Sequence, residues 1–177
     1  MKTFGIQEIV IDIHQIKNKV FVEGHAVDCP NIFYFSPIFI VPETDVGGIG
    51  KAVLQAFEAS YHPLGDGEVN AILKATKSNW RTLAWDAKYT GVCMRGDQIE
   101  INPCILAHYD ISIQNQEEST YIMSSLDPEE LGSKVLQGLS LYKIDPKVQK
   151  RIDETRRKQA LRREERAKLK AEKLKNS

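Results

Sequence analysis

The chain has 177 residues, with 24 Lys and Arg against 24 Asp and Glu, and is long enough to bury one core or two small lobes that share a core. It contains no apolar run of membrane-spanning length and no signal-peptide core near its N-terminus. These features argue against a membrane protein and predict a soluble cytoplasmic one. Its three cysteines, an odd number, do not predict a disulfide framework.

The balanced net charge conceals a segregation along the chain. Residues 1–144 carry 11 Lys and Arg against 18 Asp and Glu, a net charge of −7. Residues 145–177 carry 13 against 6, a net charge of +7. We therefore expect an acidic body over 1–144 and a basic tail over 145–177.

Strand-like alternation dominates the first part of the body. It predicts strands over 3–13 and 18–24, separated by a turn at 14–18. Residues 32–41 are apolar enough for a central strand, but Pro37 interrupts them and implies a bulge or a sheet edge. A helix is predicted over 45–59.

The second part of the body mixes helices with further strands. An acidic, glycine-rich loop around 61–68 is followed by predicted helices at 69–76 and 78–86, a hairpin of 89–94 with 99–102, strands at 107–114 and 119–125, and a helix over 127–140. This order predicts an α+β fold with helices packed on a largely antiparallel sheet.

One pattern occurs twice, 82 positions apart. Asp45 and Asp127 each precede three residues, then Ile or Leu, Gly, two residues and Val-Leu-Gln. Each Asp is a typical helix N-cap, and an apolar segment lies at the same offset before it. Gly50 and Gly132 cost about 1 kcal/mol each inside a helix, so we expect close approach of another backbone, such as the sheet beneath. The body therefore contains two related strand-helix units.

Several sequence features suggest chemistry but have plainer explanations. Gly47-Gly-Ile-Gly-Lys is similar to a phosphate-binding loop, yet Asp45 and Ala52 replace the required Gly and Ser or Thr. His25 with Cys29 and Cys104 with His108 lack the usual spacing of zinc ligands. No nucleophile or carboxylate pair stands in a catalytic signature, so neither a metal, a cofactor nor an enzymatic activity is predicted. Trp80 and Trp85 are expected in the core, because Arg81 is the single basic residue interleaved with them.

The tail consists of good helix formers and has no Gly or Pro after Pro146. Its sparse apolar residues do not keep heptad spacing, which favours a long, charged, solvated helix over a coiled coil. If the tail binds anything, the candidates are a nucleic-acid backbone or its own acidic body.

A family resemblance rests on a set of motifs taken in order. They are the segment around Asp45, the Asn79-Trp-Arg-Thr-Leu helix, Tyr89-Thr-Gly-Val-Cys-Met, and Gln98-Ile-Glu-Ile-Asn-Pro. This set resembles the CdiI-type immunity proteins of bacterial contact-dependent growth inhibition systems, in the group that guards against RNase-like toxins. It covers residues 2 to 142 and does not include the basic tail. The resemblance implies a cytosolic, non-enzymatic inhibitor that binds a toxin domain and blocks its active site.

The acidic body suits that role, because an acidic inhibitor can associate rapidly with a basic nuclease toxin. The expected toxin-binding residues are acidic loop positions: Asp66, Glu68, Asp97, Glu117 and Glu118. Two alternatives remain open, a nucleic-acid-associated protein that acts through the tail and a small enzyme with an unrecognised site.

Overall fold

A computed structural model of the chain describes residues 6–28, 32–60, 71–95, 98–108, 112–114, 121–123 and 126–175. The strands are β1 (Ile6–Ile16), β2 (Lys19–Asp28), β3 (Ile32–Phe35), β4 (Phe39–Pro42), β5 (Lys88–Arg95), β6 (Gln98–Leu106), β7 (Ser112–Gln114), β8 (Tyr121–Met123) and β9 (Lys143–Ile144). The helices are α1 (Val46–Ser60), α2 (Ala71–Thr76), α3 (Trp80–Asp86), α4 (Pro128–Ser140) and α5 (Pro146–Lys175).

The strands form one sheet in the order β3-β2-β1-β5-β6-β7, with β4 on β2 and both β8 and β9 on β6. Every pairing is antiparallel except that of β9 with β6. This confirms the predicted α+β class. β3 and β4, on either side of Pro37, both pair with β2 at the edge of the sheet, so the apolar segment that contains them is not a central strand.

The predicted turn at 14–18 was too long. β1 continues to Ile16, and only Lys17 and Asn18 connect it to β2. Lys17 adopts a φ of 56°, the left-handed conformation that a two-residue hairpin turn needs. His14 and Gln15 are therefore paired strand residues, with Phe21 and Val20 as their partners. The strands predicted at 107–114 and 119–125 form only at β7 and β8 among the described residues.

Aspartate caps begin the three long helices. The amide of Gly48 donates to Asp45 Oδ1 at 2.9 Å, and the amide of Glu130 donates to Asp127 Oδ1 at 2.9 Å. Asp145 accepts from the amide of Lys147 at 2.8 Å before α5. These bonds satisfy donors that the first helical turn leaves without partners. The capped helix starts predicted at residues 45 and 127 are confirmed.

α1 and α4 cover one face of the sheet. The main core combines the apolar faces of these two helices with the inward residues of four strands: Ile9, Ile11, Ile13, Val20, Val22, Ile49, Val53, Phe57, Val92, Ile99, Ile101, Leu131, Val135 and Leu139. On the other face, α2 and α3 bury Ile72 and Leu83 against Phe21. The start of α5 buries Val148 and Ile152 against Leu106. In the part of the chain that the structure describes, no helix is both long enough and apolar enough to span a bilayer.

The internal repeat extends to the register of the sheet. Arg95 and Gln98 flank the β5–β6 turn 79 positions after Ile16 and Lys19 flank the β1–β2 turn. The outer strands correspond as well. β4 pairs with β2, where Val41 lies opposite Val20, and β8 pairs with β6, where Met123 lies opposite Ile99. A hairpin, an outer strand and a helix therefore recur in one order. Because β1 and β5 pair antiparallel, the two units are related by an approximate two-fold axis.

The glycines of the repeat allow the predicted close approach of another backbone, but that backbone does not belong to the sheet. A Cβ on Gly50 would collide with the backbone carbonyl of Pro128, and a Cβ on Gly132 would collide with that of Val46. The close neighbour is therefore the opposite helix and not the sheet. Sheet contact is made elsewhere, at Gly138, whose Cβ would lie 2.9 Å from Thr90 Oγ1.

Candidate functional site

The five residues expected to bind a toxin, Asp66, Glu68, Asp97, Glu117 and Glu118, lie outside the described residues. In the chain they fall between α1 and α2, between β5 and β6, and between β7 and β8. Their role stays a prediction. Among the described residues, two other groups of side chains could bind a ligand or take part in chemistry. One lies on the sheet and one lies between two helices.

The first grouping, which we call the polar cluster, consists of Asp12, Glu23, His25 and Tyr89. Strand alternation places Asp12 on the face opposite Ile11 and Ile13, away from α1 and α4. The Tyr89 hydroxyl donates to Asp12 Oδ1 at 2.5 Å, and His25 Nδ1 lies 3.7 Å from Asp12 Oδ2. Asp12 pairs with Glu23 on one side and with Gly91 on the other, so its carboxylate joins β1, β2 and β5.

Glu23 is the most unusual member of the polar cluster. Its side chain is only 8% exposed, and its Oε1 atom has no hydrogen-bond partner among the described residues. Burial, followed by the nearby Asp12 charge, raises the pKa of Glu23 to about 7, although a hydrogen bond from the Ala71 backbone opposes the shift. The carboxyl group therefore gains and loses its proton near neutral pH.

His14 borders the polar cluster and has a strongly lowered pKa. Its ring lies 4.9 Å from that of Tyr89, centroid to centroid. Desolvation lowers the pKa of His14 to about 4, against an opposing effect of Asp12. The imidazole is therefore neutral at physiological pH.

The Cys104 thiol near the polar cluster is not an activated nucleophile. Cys104 donates its thiol to the Asn102 carbonyl at 3.3 Å, and burial raises the pKa of Cys104 to about 11. A thiol with so high a pKa is a poor nucleophile at neutral pH. Among the described residues, no group of three or more His, Cys, Asp or Glu side chains is arranged to hold a metal ion. The polar cluster can accept hydrogen bonds and attract cations.

The second grouping lines a groove between α3 and α5, with a volume of about 750 Å³. Its walls are formed by Asn79, Trp80, Arg81, Thr82, Trp85 and Asp86 from α3 and its cap, and by Arg156, Gln159 and Arg163 from α5. Trp80 is 51% exposed, so the prediction that it lies in the core was wrong. Only Trp85 packs, partly buried, against the cluster of Leu106, Val148 and Ile152.

One arginine holds the two sides of this groove together. The Arg156 guanidinium contacts Asp86 at 2.5 Å and donates to the Trp85 carbonyl at 3.3 Å. The first part of the basic tail therefore docks on the body. Basic side chains from the tail line the same groove as both tryptophans, which the sequence of α3 alone does not indicate.

Carboxylates occupy the N-terminus of α1, where the glycine-rich segment begins. Asp45 caps Gly48, and the Glu129 carboxylate lies against Gly47. Both negative charges would repel a phosphate group. This end of α1 packs against α4 instead.

The structure is that of an α+β protein. Two units, each a hairpin covered by a helix, share one sheet. It has the fold of a chain in a "CdiA-CT/CdiI toxin and immunity complex from Yersinia pseudotuberculosis", with a TM-score of 0.57 at 15% sequence identity, over 78% of this chain and 99% of that one. A protein of unknown function from Neisseria meningitidis is also similar, with a TM-score of 0.52 at 16% identity, over 79% of this chain and 98% of that one. The sequence matches no protein-family model and no curated protein. The shared fold agrees with the resemblance found in the sequence motifs.

Proposed function

We propose that this protein is a non-enzymatic immunity protein, which binds the cognate toxin domain of a contact-dependent growth inhibition system in the cytoplasm and blocks it. The observation that carries the proposal is the fold likeness to a chain of a toxin and immunity complex, over 99% of that chain. The ordered motifs of the sequence independently point to the CdiI-type family.

Charge supports a basic toxin, such as a nuclease. Residues 1–144 carry a net charge of −7. A nuclease presents basic groups to the phosphate backbone of its substrate, and an acidic inhibitor can occupy the same groups. The proposed contact residues are Asp66, Glu68, Asp97, Glu117 and Glu118.

The direct test is to produce this protein in bacterial cells together with the toxin domain encoded immediately upstream of its gene. We expect growth to be restored and the two proteins to purify as one complex through a tag on either. An unrelated acidic protein of similar net charge serves as the control and should not rescue growth. Absence of both rescue and complex would refute the proposal.

The contact surface is tested separately by association kinetics. Neutralising Asp66 and Glu68 together, as Asp66→Asn and Glu68→Gln, should lower the association rate about tenfold at low salt and much less at high salt. Glu58→Gln, an exposed change on α1, is the matched control and should have little effect. An association rate that does not depend on salt would contradict electrostatic steering.

A further inference from the structure

We propose that the groove between α3 and α5 binds single-stranded RNA, with a base stacked on Trp80 and phosphates held by Arg81 and Arg163. This inference is independent of toxin binding. One wall of the groove belongs to the basic tail, which the family resemblance does not include, and the other is the Asn79-Trp-Arg-Thr-Leu helix, which it does include.

Trp80 is a stacking surface on a fixed support. The indole is 51% exposed at the first residue of α3, where the Asn79 side chain caps the helix by accepting from the Thr82 amide at 3.0 Å. Leu83, 2% exposed, anchors the helix in the core. Aromatic side chains of this kind stack on nucleobases and tolerate any sequence, because every base has a flat face.

The tail supplies cations at a defined position. Val148 and Ile152 bury the start of α5, and the bond of Arg156 to Asp86 continues the attachment one turn further. Gln159 and Arg163 follow at three and seven residues, which places them on the same face of the helix, over the groove. Arginine provides planar donors that suit phosphate oxygens.

The charge of the tail continues beyond the groove. Residues 156–175 carry 10 Lys and Arg against 3 Asp and Glu. Every residue whose side chain is described in this stretch, 156–172, is exposed. A single strand whose base occupies the groove can therefore continue with its phosphates along the face of α5 that carries Arg156 and Arg163. The groove volume of about 750 Å³ is within the range of about 300–1,000 Å³ typical of small-ligand sites.

The composition of the groove favours a nucleic acid over an acidic protein segment, and RNA over DNA. An acidic segment would engage the arginines but would make no particular use of an exposed indole. Asp86 and Gln159 offer oxygen acceptors in the same groove, to which a ribose 2′-hydroxyl can donate. A duplex keeps its bases stacked internally and cannot present one to Trp80.

The test is fluorescence anisotropy of a short labelled oligouridine titrated with the full-length protein. Trp80→Ala should weaken binding about tenfold, which is typical of the loss of one stacked base. Arg163→Gln should weaken it several-fold and reduce its salt dependence. Arg162→Gln, a tail arginine outside the groove, is the matched control and should stay within about twofold of the unchanged protein.

Competitors and a second readout identify the ligand class. Unlabelled oligouridine should compete better than oligothymidine, polyglutamate or an RNA duplex. Oligouridine should also quench the indole fluorescence of Trp80→Ala less than that of the unchanged protein. Equal binding by Trp80→Ala, or equal effects of Arg162→Gln and Arg163→Gln, would overturn the groove site. Better competition by DNA or polyglutamate would overturn the RNA assignment. Toxin neutralisation by Trp80→Ala should be unchanged, which separates this site from the proposed immunity function.

Discussion

Gly50 of α1 and Gly132 of α4 make reciprocal contacts across the approximate two-fold axis of the protein. Each glycine lies where the backbone of the other helix passes, at Pro128 and Val46 respectively. These contacts let the two helices cross closely at their N-terminal turns while their apolar faces reach the sheet. The same residue at the same place in both units therefore forms the junction between them.

A methyl group at this junction should destabilise the protein. Gly50→Ala or Gly132→Ala should lower the free energy of unfolding by about 1–3 kcal/mol, because the new Cβ meets backbone that cannot move independently. Gly47→Ala is the matched control: its Cβ meets only the exposed Glu129 side chain, which can swing away, so the change should be neutral or slightly stabilising. Urea unfolding measures all three, and equal effects of Gly47→Ala and Gly50→Ala would contradict the proposed junction.

The cap of α4 should contribute measurably to stability. Asp127→Ala removes the acceptor of the Glu130 amide and should cost about 1 kcal/mol. Asp127→Asn keeps an oxygen acceptor and should cost much less. Thermal or urea unfolding of the two variants separates the hydrogen bond from the side-chain volume. An equal loss in both would show that the cap oxygen does not stabilise the helix.

Glu23 should make the protein less stable as the pH rises. Its pKa is raised to about 7 from an ordinary 4.5, so between these values the folded state holds a proton that the unfolded state has lost. Stability therefore falls from about pH 4.5 to pH 7 on account of this group. Glu23→Gln should be more stable than the unchanged protein by about 1–3 kcal/mol at pH 8, and nearly equal to it at pH 4. Urea unfolding from pH 4 to pH 8 measures the stability difference between the two proteins, which should grow as the pH rises. A difference that stays constant or shrinks would contradict the prediction.

His14 should act in the opposite direction. Its pKa is lowered to about 4 from 6.5, so between these values the unfolded state binds a proton at this residue and the folded state does not. Its contribution is fully present above pH 6.5 and is lost progressively toward pH 4. His14→Phe keeps an aromatic ring beside Tyr89 and should lose less stability than the unchanged protein on acidification from pH 7 to pH 4. An identical acid dependence in the two proteins would contradict a neutral His14.

α5 should consist of a docked start and a solvated remainder. Ile152 is 1% exposed against Leu106, so Ile152→Ala should cost about 2–4 kcal/mol or detach the start of the helix. Leu161 is 52% exposed, and Leu161→Ala should change stability by less than about 0.5 kcal/mol. Urea unfolding gives the stability, and the loss of Trp85 contacts gives a fluorescence signal for detachment. Equal costs would refute this division.

Local chemistry explains which predictions from the sequence were confirmed. The helices that begin after Asp45 and Asp127 need only a capping side chain and an apolar face with helical period, and both are visible in consecutive residues. The β5–β6 hairpin was predicted from two strand-like segments joined by a short turn, which are also visible in consecutive residues. The turn before β2 was predicted too long, because the two-residue turn depends on a left-handed conformation at Lys17 that a lysine in the sequence does not indicate.

The sequence by itself determined the repeat, the caps, the apolar faces and the opposite charges of body and tail, because each depends on neighbouring residues or on composition. Only the tertiary structure decided what meets across the chain. Tyr89 bonds to Asp12 from 77 positions away, and Arg156 reaches Asp86 from 70. The tertiary structure also leaves Trp80 exposed beside the tail, and it places a helix, not a strand, against Gly50 and Gly132. Such contacts follow from how the sheet and helices pack, and the spacing of residues along the chain does not encode them.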